Sequence, residues 1–374
     1  RDVAPSRGLG DVYKRQMLVL GIESSCDETA AALVNDKKEI LSSTVLTQIE
    51  HKNFGGVVPE IAARAHLEHI DEILEQTFRK ANVKPCDIDA VAVAAGPGLI
   101  GGVTVGVMAG KALALALDKP FIAVNHLEGH ALTARLNNDV KYPYLLLLTS
   151  GGHCQILIVK GVGDFERLGT NIDDAAGEDF DKVAKMLGLG YPGGPMIEKM
   201  AALGDEDRFV LPRPLYNSPD CNLSFSGLKT AVRKIIESYA EDGILEHAIL
   251  RKRDIADICA GFQKAVTGCL LHKLKKAITI FRTTCPEGCH IVVAGGVAAN
   301  TYLREHLQQL AEAEKLTFAA PPVKFCTDNG VMIAWAGVER ALKGMFNELD
   351  FKPRPRWPLD ENAPKAAGAG GVKA

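Results

Sequence analysis

One unit occurs twice in this chain, and it narrows the possible folds more than any other feature. Residues 17–22 are an apolar run, the polar turn ESSCDET follows, and AAALV resumes the apolar pattern. Residues 144–148 are again an apolar run, TSGGH is again a polar turn, and CQILIVK again returns. Short apolar runs bounded by Gly, Ser and Thr read as strands, and two runs joined by such a turn read as a hairpin. The two together read as a weak internal duplication of a strand, phosphate-sized turn, strand unit. Both turns, and the later AGGVAAN, expose backbone N–H groups and hydroxyls, which suit phosphate oxygens and together point to a nucleotide held between lobes.

Strands and helices alternate elsewhere. Residues 59–81 carry apolar positions at helical spacing (Ile61, Ala65, Leu67, Ile70, Leu74, Phe78), 88–95 is a buried strand running into GPGLIGG, 103–117 is a small-residue apolar helix, and 121–124 is a strand ending at NHLEGH. Further on, 180–187, 228–239 and 255–281 read as helices and 191–195 as a Pro/Gly loop. A buried strand over 290–294 turns at Gly295 and Gly296 into a helix over 297–310. This is the alternation of an α/β fold. At 374 residues the chain exceeds the roughly 250–300 at which single cores stop growing, so two lobes are expected. The N-terminal lobe is read as 17–125, completed by 326–345, and the C-terminal lobe, with the substrate turns, as 126–325. Residues 1–16 lack periodicity and the apolar stretch of a signal peptide, and read as a non-native leader before Met17. The Pro-, Ala- and Gly-rich tail, 350–374, is expected to be disordered.

The net charge of −3 argues against a broad basic surface for nucleic acid, so an RNA partner would need a local patch or a helper protein. No apolar run reaches the roughly 18 residues that cross a bilayer, because Lys111 interrupts 103–117. Nine cysteines without CxxC pairing fit reduced thiols, and the chain reads as cytoplasmic with no membrane partner. Among them, Cys285 and Cys289 stand near His290 and could chelate a metal.

His126 and His130 are four apart, which on a helix places both imidazoles on one face, as a shared metal requires. A metallopeptidase would carry HExxH, whereas here Glu128 falls on another face. Asp328, in FCTDNGVM, reads equally as a third ligand or as a helix N-cap. Asp173, Asp174, Glu178, Asp179 and Asp181 surround Gly177 and invite a cation or a sugar hydroxyl, or else form an exposed acidic helix start. Ser224, Ser226 and Gly227 precede Lys229, Arg233 and Lys234, a pattern shared by anion sites and by ordinary capped surface helices.

Nine collinear segments carry a resemblance: MLVLGIESSCDETAAALV, GGVVPEIAARAH, GPGLIGGVTVG, NHLEGH, LLLTSGGH, DDAAGEDFDKVAKMLGLGYPGGP, LSFSGLKTAV, AGGVAANTYLR and TDNGVMIAW. Together they resemble the tRNA N6-threonylcarbamoyladenosine transferase family, called TsaD in bacteria and formerly glycoprotease, from about residue 17 to about 344. The resemblance implies the duplicated two-lobe fold of actin, Hsp70 and sugar kinases. It also implies transfer of a threonylcarbamoyl group from threonylcarbamoyl-AMP to N6 of the adenosine at position 37 of tRNAs that read codons beginning with A, with AMP released. One divalent metal per subunit, Fe(2+) first and Zn(2+) second, is implied on His126, His130 and Asp328. Substrate contacts are implied at Thr149, Ser150, Gly151, Gly152, His153, Asp181, Gly194, the position of Glu198, and Asn300. Many relatives carry Asp where this chain has Glu198, which leaves that contact open. Implied partners are tRNA, a paralogue of the same fold (TsaB-like) and an ATPase (TsaE-like). No side chain is expected as covalent nucleophile or general base. A metallopeptidase and a small-molecule kinase of the same fold are the alternatives.

Overall fold

The computed structural model describes residues 16–54 and 56–364, so most of the expected leader, 1–15, lies outside the described residues. Two five-stranded mixed sheets form the frame. The first contains β1 (Leu18–Glu23), β2 (Glu28–Asn35), β3 (Ile40–Thr47), β4 (Ala90–Gly96) and β5 (Phe121–Asn125), ordered β3-β2-β1-β4-β5. The second contains β6 (Tyr144–Thr149), β7 (Cys154–Gly161), β8 (Asp164–Thr170), β9 (His290–Ala294) and β10 (Thr317–Ala319), ordered β10-β9-β6-β7-β8. In each sheet an antiparallel hairpin, β1–β2 or β6–β7, has its first strand paired in parallel with a later one, β4 or β9.

The apolar runs arise because both faces of each sheet are covered. Successive residues of β1, β4, β6 and β9 enter different cores: Val19, Ala92, Leu146 and Val292 share one, Leu20 and Val91 belong to a second, and Leu147 and Val293 to a third. The shared core lies between the sheets and contains α3 (His126–Asn137) and α9 (Gly330–Leu342). Outside the first sheet lie α1 (Pro59–Ala81) and α2 (Ile100–Leu117). Outside the second lie α4 (Ala176–Met186), α5 (Gly193–Ala201), α6 (Ser226–Glu237), α7 (Lys252–Thr284) and α8 (Thr301–Ala313).

Several local expectations change. The loop expected over 191–195 instead enters α5 at Gly193. The helix expected at 297 starts at Thr301, because Asn300 accepts from Leu303 N at 2.8 Å and caps it after a short 3-10 turn. α2 reaches 18 residues and is by length and composition apolar enough to span a bilayer, yet it packs Val103, Gly106, Val107, Gly110 and Ala114 inward. Of the tail 350–374, expected to be disordered, 365–374 lies outside the described residues, whereas 351–364 is tied to the first sheet: Arg354 N donates to Ala95 O at 2.8 Å and Gly98 N to Pro355 O at 3.2 Å.

Candidate metal centre and interlobe cleft

α3 begins directly at the end of β5, the edge strand that pairs with β4, and its first residue is His126. Asn125 caps it, Oδ1 accepting from Leu127 N at 2.9 Å. One turn on, His130 stacks edge-on against His126, with ring centroids 4.9 Å apart and an interplanar angle of 88°. Asp328 precedes the cap of α9, where Asn329 accepts from Met332 N; Asp328 is therefore not the N-cap. Its Oδ1 lies 3.0 Å from His130 Nε2 and 3.5 Å from His126 Nε2. One ligand atom from each residue fits within 4.8 Å of the others, the one such His, Cys, Asp and Glu group among the described residues.

The support around this set fits a metal. Glu23, fully buried, places Oε2 2.9 Å from His126 Nδ1, and Ser25 Oγ stands 3.0 Å from the same nitrogen. A ligating imidazole is ordinarily oriented by such a partner on its other nitrogen. His130 Nδ1 is buried with no hydrogen-bond partner, leaving Nε2 as its working atom. Burial opposes charge on His126, but the carboxylates of Glu23 and Asp328 outweigh it and raise its pKa to about 9. Burial likewise opposes ionisation of Asp328, while His126, His130 and His153 hold its carboxyl down to about 2. A cation entering this set would take the place of the imidazole proton. Two imidazole nitrogens and one carboxylate oxygen suit iron or zinc with positions left open.

Glu128 serves none of this. It is buried on the opposite face of α3, paired with Arg340 at 2.7 Å and accepting from Gly163 N at 2.8 Å, so it is not placed to serve as a peptidase base.

The second sheet presents its turns to the same region. Parallel pairing of Leu148 with Ala294 sets the 149–153 turn beside the 295–300 turn so closely that a Cβ on Gly295 would lie 2.4 Å from Thr149 O. Gly177 packs on Ser150 O, and Glu178 N donates to Gly151 O at 3.1 Å. Asp181 accepts from Gly193 N at 2.7 Å. A Cβ placed on Gly151, Gly152, Gly194 or Gly296 would meet nothing within 4 Å, so these backbones face open space. Across the gap the 24–28 turn of the first sheet approaches: Asp27 bears electrostatically on Asp181 and Tyr191, and Asp328 on Cys26 and Glu28.

Other expected residues are occupied within the fold. Glu198 Oε1 accepts from Thr301 N at 2.7 Å, beside Asn300, whose Nδ2 donates to Gln263 at 2.8 Å. Of the acidic group, Asp173 accepts from Ser224 and Phe225, Asp174 pairs with Lys182 and Lys229, and Glu178 pairs with Lys182. Asp179 alone is buried with neither oxygen hydrogen-bonded. Arg233 pairs with Glu237 and Lys229 with Asp174, so the basic face of α6 is partly neutralised. Cys289 Sγ lies 3.2 Å from His290 Nδ1, but Cys285 is buried in a core and completes no trio. Sequence reasoning missed Glu23, Ser25 and Glu28 as parts of the site. The signal was available: carboxylates are out of place in a turn built only for phosphate.

Comparison with known proteins gives one answer. The sequence model of a family described as tRNA N6-adenosine threonylcarbamoyltransferase matches residues 39–335. A protein of that description from Paramagnetospirillum magneticum is 58% identical over 94% of this chain and 100% of its own length. One from Rhodospirillum rubrum is 59% identical over 95% and 98%. Among solved structures, HypF of T. kodakarensis aligns over 88% of this chain and 48% of its own, at 16% identity and a TM-score of 0.58, a likeness of fold.

Proposed function

The chain belongs to the tRNA N6-adenosine threonylcarbamoyltransferase family and is a transferase that modifies adenosine in tRNA, and we propose that it does so with one divalent metal on His126, His130 and Asp328 and threonylcarbamoyl-AMP as donor. The observation that carries this reading is the placement of three ligand atoms within 4.8 Å of one another at the mouth of a glycine-lined cleft.

The donor is a mixed carbamic-phosphoric anhydride with AMP as a good leaving group, while the N6 amine of adenine is a poor nucleophile. Catalysis then rests on holding amine and carbonyl in attack geometry and on stabilising charge at the departing phosphate. The open backbones of Gly151, Gly152 and Gly296 can bring N–H donors against phosphate oxygens without steric cost. A bound divalent ion supplies Lewis-acid polarisation and a fixed positive charge. Fe(2+) is the first assignment and Zn(2+) the second.

No covalent enzyme intermediate is proposed. Cys26, on which Asp328 bears electrostatically, is pushed well above the usual range by burial and then by Asp27, which disfavours the thiolate. The acceptor is assigned to position 37, where a loop base is splayed out at less cost than a duplex base. With a net charge of −3 the chain is weakly suited to grip tRNA alone. A paralogue of the same fold and an ATPase are therefore included as partners, with the cytoplasm as the site of action. Supplying threonylcarbamoyl-AMP, unmodified tRNA and the partners, and then analysing nucleosides by mass spectrometry, tests the whole reading. Absence of the modified nucleoside with the wild-type chain would sink it.

A further inference from the structure

One segment takes no part in the proposed chemistry. Residues 351–364 cross the edge where β4, β5 and α3 meet. The strap lies so close to β4 that a Cβ on Gly96, itself at φ +132°, would sit 1.7 Å from Arg354 O. Phe351 O accepts from Lys111 Nζ at 2.6 Å, and the Phe351 and Trp357 rings pack 5.5 Å apart with Arg354 over both. Farther along, Asp360 Oδ2 accepts from Arg167 N at 2.9 Å, so the strap is anchored on the second sheet as well as on the first.

Its central contact is with the cap of α3. Asn125 is 3% exposed; Oδ1 accepts from Leu127 N, and Nδ2 donates to Trp357 O at 2.9 Å. One amide therefore joins the first turn of the helix that starts at His126 to a carbonyl on a strap held by both lobes. We infer that the strap is a positioning element for the metal set: through Asn125 it fixes the start of α3, and so the direction of His126 toward Asp328. The inference rests on the proposed metal site. The fit is chemical as well as geometric, since a side chain that only capped the helix would need an acceptor, and Ser or Thr would supply one. The second, donor end of Asn125 is the part that capping leaves over.

The test uses the full chain. Asn125→Ser keeps a capping oxygen and deletes the amide donor to Trp357; Asp360→Ala loosens the anchor on the second sheet, where Pro364 O still accepts from the Arg167 guanidinium, without altering α3. Cobalt(II) affinity is measured by competition with a chromophoric chelator, well below the melting temperature, with helix content followed by circular dichroism. Asn125→Ser is expected to bind cobalt about tenfold more weakly at unchanged helix content, the lower end of the loss seen when groups that orient a ligand are removed. Asp360→Ala is expected to lose affinity in the same direction. Both variants binding within twofold of wild type, even with lowered melting temperatures, would overturn the inference and leave the strap a merely structural element. A wild-type chain that takes up no cobalt would instead overturn the metal site, and the inference with it.

Discussion

Glu23→Gln changes one hydrogen bond at nearly constant shape, and so tests whether the metal set depends on the buried carboxylate behind it. Glu23 Oε1 accepts from Ser25 N at 2.6 Å, and Oε2 stands 2.9 Å from His126 Nδ1. A glutamine can keep the first contact with its amide oxygen, but must then turn its NH₂ toward Nδ1. An NH₂ donor makes Nδ1 an acceptor, and the neutral ring proton moves to Nε2, the atom that faces Asp328 Oδ1 at 3.5 Å. The lone pair that would hold the metal is then lost. If ring or amide turns away instead, a buried polar group is left unpaired, at about 1–3 kcal/mol. Substitutions of this kind weaken metal binding by about 10–100-fold, which matches that range at about 1.4 kcal/mol per decade. The assay is the dissociation constant for Zn(2+) or Co(2+) by chelator competition near neutral pH. A value within twofold of wild type would refute the assignment of Glu23 as the group that sets the His126 tautomer.

Three other outcomes are expected. His130→Ala should lose bound metal and transferase activity together while remaining folded, and unchanged metal content would refute the ligand assignment. Gly21→Ala should destabilise the protein by about 1–3 kcal/mol through overpacking, because its Cβ would meet Ala334 N at 2.2 Å; an unchanged melting temperature would contradict this packing of α9 on β1. Burial, and then the Asp174 carboxylate, raises the Asp179 carboxyl to about 7. Between the ordinary carboxyl pKa of about 4 and about 7, the folded state holds a proton that the unfolded state has released, so this group makes stability fall as pH rises through that window. The melting-temperature advantage of Asp179→Asn over wild type should accordingly grow from about pH 5 to about pH 8, and a constant difference would count against it.

What could be read from the sequence follows from burial. β1, β4, β6 and β9 are covered on both faces, so residues such as Leu20, Val91, Leu146 and Val292 declare themselves as continuous apolar runs. β3 is an edge strand whose exposure alternates, and ILSSTVLT carries no comparable signal. The start of α5 hides behind Pro192 and two glycines, which read as loop. The strap reads as disordered because its contacts are largely made by backbone: Arg354 N, Pro355 O and Trp357 O bond to distant partners whatever the composition. Helical spacing suggested His126 and His130 as a pair. The approach of Asp328, nearly two hundred residues on, depends on α9 lying across the first sheet, and Glu23 is hidden for the same reason.

The arrangement also explains why the cleft needs carboxylates so near a proposed anion site. The N-terminal ends of α3, α4, α5, α8 and α9 are linked around it by short contacts: Glu178 N to Gly151 O, Gly193 N to Asp181, Thr301 N to Glu198, and Asp328, just before α9, to His130 on α3. Each such end carries roughly half a positive charge, which favours a phosphate and disfavours a cation. A divalent ion at the start of α3 and α9 must overcome that field. Asp328 meets it directly, and Glu23 meets it through His126. Glu28, whose carboxyl is pushed well above the usual range by burial and then by Asp328, adds a further acidic group at this end of the cleft. Removing one of these carboxylates should therefore weaken metal more than it weakens the binding of AMP, whose phosphate the helix ends still attract. Comparing Asp328→Asn with wild type for both ligands separates the two fields, and an equal loss of both would show that they are one.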